Sequence, residues 1–174
     1  MRNKYGLAAV MVLAAVLAVS CASHVKKASK SESGKGASVY VLIDRGIQKS
    51  FTDYQVKNRN QVGEWMEQDL PRVLGDAGYE AHLIQKRSEF KPGADAYLLT
   101  VKITNYNPGA KAARMFVGYG AGAASMETHF ELYGKGAKPV VTGDPGVGSG
   151  RDWRNVIRKI DELTTNAITE KLSK

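Results

Sequence analysis

The chain has 174 residues, a net charge of +8 and one cysteine, Cys21. One cysteine excludes a disulfide framework and a thiolate metal cluster, and the 136 residues from 39 to 174 are enough to bury a core unaided. A basic balance points first to nucleic acid, but only +3 of the charge falls on residues 39–174. The excess in the first 38 residues points instead to anionic head groups or cell-wall polymer.

The first element is an export signal. Arg2 and Lys4 precede an apolar run from Leu7 to Val19, and Ala18-Val19-Ser20 supplies small residues before Cys21. The run is too short and too Ala-rich for a spanning helix, which needs about 20 apolar residues. Cleavage before Cys21 by a lipoprotein peptidase is therefore expected, leaving an acylated cysteine. Two or three acyl chains anchor stably where one holds only marginally. Ala18 stands where Leu is commoner in such cleavage boxes. Ala22, in place of Asp after the cysteine, implies the outer membrane, with the domain facing the periplasm. Three segments follow: a signal peptide over 1–20, a lipidated cysteine and flexible basic tether over 21–38, and one globular domain over 39–174.

The tether carries Lys26, Lys27, Lys30 and Lys35 against Glu32, with Val25 as its only large aliphatic residue. Such a composition buries too little apolar surface to order itself. As a coil it spans about 20–25 Å. Its charge is either a lipid or wall contact or simply solvated.

Val39 to Ile43 is a β-rich run ending at Asp44-Arg45-Gly46 and predicts a buried strand and a turn. From about Asn60 to Ala77, Val62, Trp65, Met66, Leu70, Val73, Leu74 and Ala77 recur at helical spacing. Pro71 predicts a kink or break in that helix, and Gly78 its C-terminal cap, with Tyr79 folding back. The spacing also puts Trp65 and Trp153 in the core. Ala81 to Gln85 reads as a short strand and Ser88 to Gly93 as a loop. Ala96 to Asn105 and Ser125 to Tyr133 alternate as two half-buried antiparallel strands. A short strand near Pro139 to Thr142 and a glycine-rich loop from Asp144 to Gly150 come next. The last element is an amphipathic helix from Asp152 to Leu172. The pattern specifies an α+β fold, a mixed, mainly antiparallel sheet with two amphipathic helices packed on one face.

Between the two long strands lies Pro108 to Gly122, with Arg114, Phe116, Gly118, Tyr119, Gly120 and Gly122. Alternate glycines clear one face of a strand-like run and admit close backbone approach. They mark either a bulged strand crossing a neighbour, or a docking surface with Phe116 and Tyr119 as anchors and Arg114 as the charged contact. A dinucleotide fingerprint is excluded by the Gly-x-Gly-x-Gly spacing and by the strand that follows where a helix is required. Gly109, Arg114, Gly118, Gly120, Gly122 and Met126 give a pattern of Gly, four residues, Arg, three residues, Gly-x-Gly-x-Gly and an apolar residue four further on. In this the chain resembles the bacterial lipoprotein family catalogued as domain of unknown function 4410. The resemblance implies an exported, lipid-anchored, non-catalytic domain of unassigned biochemical role.

Gly143 to Ser149 opens a helix but lacks the lysine of a phosphate loop. Ser149 or Asp152 suits the helix N-cap, and Ser149 with Arg151 and Arg154 offers a contact for a lipid or wall phosphate. His24, His82 and His129 are scattered, and neither a metal cluster nor a nucleophile with its base is visible. No catalytic residue, metal or cofactor is expected. The expected function is a binding or assembly module, held to the membrane by the lipid at Cys21 and engaging an envelope protein or a second copy of itself through 114–122. The alternative is a binder of anionic lipid or cell-wall polymer through the tether and the Arg151 region.

Overall fold

The β-branched run after Ala37 forms β1 (Ser38–Asp44), which pairs in parallel on one side with β2 (Glu80–Leu83) and on the other with β3 (Ala96–Asn107). Residues 25–28, 36–109, 122–150 and 152–173 are described by the computed structural model. β3 continues antiparallel to β4 (Ala124–Tyr133). The far edge of β4 is covered by β5 (Pro139–Gly143) near one end and β6 (Gly146–Ser149) near the other. The sheet order is thus β2-β1-β3-β4-β5, with β6 also on β4. β6 corrects the glycine-rich loop expected over 144–150. Thr128 N–H donates to Pro145 O at 3.0 Å, so the Asp144-Pro145 step merely interrupts one edge strand.

Two helices cover one face, and the fold is α+β as the alternation predicts. α1 (Asp53–Ala77) begins earlier than its apolar stripe, because Thr52 and Gln55 close a capping box around its first turn. It runs on through Pro71, contrary to the expected break. Leu70, Val73 and Leu74 are buried on both sides of the proline and hold the helix to the sheet despite the missing donor. Gly78 caps it in the left-handed region, and Tyr79 N–H returns to Leu74 O. α2 (Trp153–Leu172) is capped by Asp152, whose carboxylate accepts from Arg154 N–H at 3.0 Å.

The helices lie parallel. Trp65 meets Trp153, Asp69 meets Asp161, and Tyr79 Oη donates to Thr169 Oγ1 at 3.2 Å. Their apolar stripes, Val62, Met66, Leu70 and Leu74 with Val156, Ile157, Ile160 and Ile168, close over Val39, Val41, Leu99, Val101, Ile103, Met126, Phe130 and Leu132 of the sheet. Trp65 is not core: it is 39% exposed at the rim of the helix pair, edge-to-face with the partly buried Trp153. Within the expected tether, Val25 and Ala28 pack against the core. Ala28 N–H donates to Ala77 O at 2.7 Å and Lys26 N–H to Asn166 Oδ1 at 2.7 Å. Lys26 pairs with Glu170, and the Lys27 ammonium reaches Asp76 O. This part of the tether is held at the C-terminal ends of both helices.

Candidate functional site

Irregularity concentrates where β3 leaves the cover of β1. The register shifts between the pairs Ile103 with Thr128 and Asn105 with Glu127, so Thr104 is the extra residue of a bulge. A bulge disrupts the ladder and leaves backbone groups to be satisfied otherwise. Arg59 of α1, only 6% exposed, does so: Nη1 donates to Ile103 O at 2.9 Å and Nη2 to Thr104 O at 3.3 Å. Burial lowers the guanidinium's proton affinity and the charge of Asp44 works against that shift. Its planar group also lies 5.6 Å from the centre of the Phe51 ring. The β1–α1 turn closes on the same spot. Gly46 has φ 61°, and a Cβ there would stand 2.0 Å from Ile103 O.

Around this floor opens a groove of about 710 Å3. One wall is the turn and first helical residues, with Gln48, Phe51, Tyr54, Gln55 and Asn58; the other is the end of β3, with Asn105, Tyr106 and Asn107. Tyr54 is 67% exposed. Burial pushes the Tyr106 phenol up to about 12, helped by Tyr54 and Asp152, so it stays a neutral hydroxyl at any physiological pH. Sequence reading missed Arg59. Its signal was its phase, three residues before Val62 and seven before Met66, on the stripe that faces the sheet.

The glycine segment begins at the rim of this groove. Gly109 and Gly122 have φ 73° and 68°, and Asn107 Oδ1 accepts from Gly109 N–H at 2.9 Å. A Cβ on Gly109 would lie 2.3 Å from Gly122 O, so the feet of the segment cross in close backbone contact. For Gly109, close backbone approach and a positive φ account for the glycine. Arg114, Phe116, Gly118, Tyr119 and Gly120 lie outside the described residues, as does Cys21.

The two described residues expected to hold an anion, Ser149 and Arg154, lie on different elements. Ser149 pairs across to Ala124 in β6, and the carboxylate of Asp152 occupies the N-cap. The Arg154 guanidinium lies 5.2 Å from the Trp65 ring and 5.7 Å from that of Trp153. Arg151 is outside the described residues. His129 Nδ1 stands 2.7 Å from Asp144 Oδ1 on the surface, a pair that separation in sequence concealed. Among the described residues, no three His, Cys, Asp or Glu side chains converge as metal ligands.

A second polar cluster lies between the helices. Asp161 is fully buried, and burial, then the neighbouring Asp69, raise its pKa well above the usual carboxylate value. Asp69 is held by Arg72 at 2.6 Å. The buried hydroxyls of Thr164 and Thr165 have no hydrogen-bond partner among the described residues.

No curated protein is similar to this chain in sequence. Among solved structures, the PelC dodecamer from Paraburkholderia phytofirmans is similar at 15% identity and a TM-score of 0.48, covering 83% of this chain and 94% of that one. A putative neuraminyllactose-binding hemagglutinin homolog from Helicobacter pylori is similar at 14% identity and a TM-score of 0.31, covering 88% and 92%. Residues 25–149 match the model of the family described as "Domain of unknown function (DUF4410)", and the chain belongs to that family.

Proposed function

We propose that this protein is a non-catalytic binding or assembly module of the bacterial envelope, lipid-anchored at Cys21 to the outer membrane and facing the periplasm. Its docking element is the segment from Arg114 to Gly122, which engages an envelope protein or a second copy of the chain. The observation that supports this most is the position of the segment's two feet. These feet, Gly109 and Gly122, stand in close backbone contact at the end of the longest strand pair of the sheet. Recognition residues serve best when a rigid scaffold positions the ends of the segment that bears them.

The competing reading, attraction of anionic lipid or wall polymer by the tether, loses support. Lys26 and Lys27 are engaged within the domain, and the α2 N-terminus is already capped by an acid. A photoreactive residue at Tyr119, with one at Lys174 as control, tests the proposal in the native envelope. Capture of one partner, or of the protein itself, from position 119 alone is expected. Equal or absent capture from both positions overturns it, as does undiminished capture when a folded protein carries Arg114→Ala and Gly120→Val.

A further inference from the structure

We propose that the groove between residues 48–59 and 104–108 is a binding site for a neutral saccharide chain. The charge balance of the groove comes first. Of the described side chains that line it only Arg59 is charged, and its guanidinium is committed to Ile103 O and Thr104 O beneath the floor. Among the described residues no carboxylate lines it. An ionic ligand therefore meets no free counter-charge there among the described residues.

The groove offers amides and aromatic faces instead. The side chains of Gln48, Asn58 and Asn105 make no hydrogen bond among the described residues, while Gln55 and Asn107 spend one oxygen each on local backbone. An amide is at once donor and acceptor, and so is a sugar hydroxyl. The match holds along a chain of hydroxyls whichever way each is turned. Tyr54 and Tyr106 add apolar ring faces, and the Tyr106 hydroxyl stays neutral. Pyranose rings present the same mixture, with C–H groups on the faces and hydroxyls around the rim. At about 710 Å3 the groove lies within the range of small-molecule sites, roughly 300–1,000 Å3.

The nearest alternative, an extended peptide added as a strand, needs free backbone acceptors on β3 past the last β1 pair, Asp44 with Lys102. Arg59 has taken two of them. Among the described residues, none that lines the groove belongs to the segment 114–122.

The test is a titration of the full-length chain, in zwitterionic micelles free of sugar detergent, with cellotetraose, maltotetraose and chitotetraose. Side-chain amide resonances report binding. At least one oligosaccharide is expected to shift Asn58 and Asn105 saturably, with an affinity indifferent to salt because no ion pair forms. Tyr54→Ala and Asn105→Ala should each weaken it about tenfold, and Tyr106→Phe should show the share of that hydroxyl. Both alanine variants keep Arg59 and its carbonyls, and unchanged melting certifies their fold; Tyr54 is exposed enough to be a safe site in any case. The proposal is overturned by no shift from any of the three sugars at millimolar concentration. It is equally overturned by an affinity that survives both alanine substitutions, or by one that collapses with salt.

Discussion

Arg59 carries a charge into a site with 6% exposure and pairs there with backbone carbonyls rather than a carboxylate. That arrangement is stable only because the planar fork reaches both bulge oxygens together. Arg59→Leu fills the volume but strands two buried acceptors, and should cost about 2–4 kcal/mol, read as a lower urea midpoint at constant slope. Arg59→Lys keeps the charge but reaches only one oxygen, and should recover no more than part of that loss. A midpoint equal to the parent's for Arg59→Leu would mean that the bulge is held by something else. Asp161 makes the opposite case, a carboxyl kept protonated by burial and by Asp69. Below the ordinary value of about 3.9 the folded and unfolded chains both hold this proton. As pH rises past it, the unfolded chain releases the proton while the folded chain keeps it, so stability falls until Asp161 itself ionises. Asp161→Asn cannot titrate, and should gain stability relative to the parent between pH 4.5 and 7.5. Denaturant unfolding at the two pH values measures it, and a parent that gains on the variant over that interval would reverse the assignment.

The same logic applies to whole elements, where two glycines of the same chain predict opposite results. Gly109 holds the foot of the segment at φ 73°, with space for a Cβ only 2.3 Å from Gly122 O, whereas Gly75 lies in α1 with nothing within 4 Å of a Cβ. Gly109→Ala should destabilise by more than about 1 kcal/mol. Gly75→Ala should stabilise by about 0.5–1 kcal/mol, through helix propensity alone. Thermal melts of the two variants decide it. Periodicity made the regular elements legible: Leu99, Val101 and Ile103, and Met126, Thr128, Phe130 and Leu132, point inward as their alternation predicts. It failed where polar groups do structural work. The first turns of α1 have no apolar stripe and are started by the Thr52 and Gln55 box, and β6 is built of Gly-Val-Gly-Ser, which reads as a loop until β4 supplies its partner. The groove was illegible for the same reason. Its two walls are about 50 residues apart in sequence, and each reads as an unremarkable polar stretch on its own.

At the scale of the molecule, two ends of the domain carry different duties. Parallel helices bring both C-termini, with Ala77, Asn166 and Glu170, to the end where residues 25–28 are held. The groove and the feet of the glycine segment lie at the other end, with Arg59 and Asn107. Along α1 alone, the 18 residue steps from Arg59 to Ala77 separate the two by about 27 Å. If Cys21 bears the proposed lipid, only three residues, Ala22 to His24, join it to Val25, and the four steps reach at most about 14 Å. The helix C-termini must then face the bilayer, and the groove and segment must point away from it, toward whatever they bind. A long solvated tether would impose no such orientation. With nitroxide head groups in the membrane, the full-length lipidated chain should therefore show strong paramagnetic broadening at Gly78 and Asn166 and little at Tyr54 and Asn105. Replacing Val25 and Ala28 by Ser, and Lys26 by Ala, frees the junction and should even out the broadening while leaving the anchor intact. Equal broadening at both ends of the parent chain would show that the 25–28 contacts do not govern its stance on the membrane.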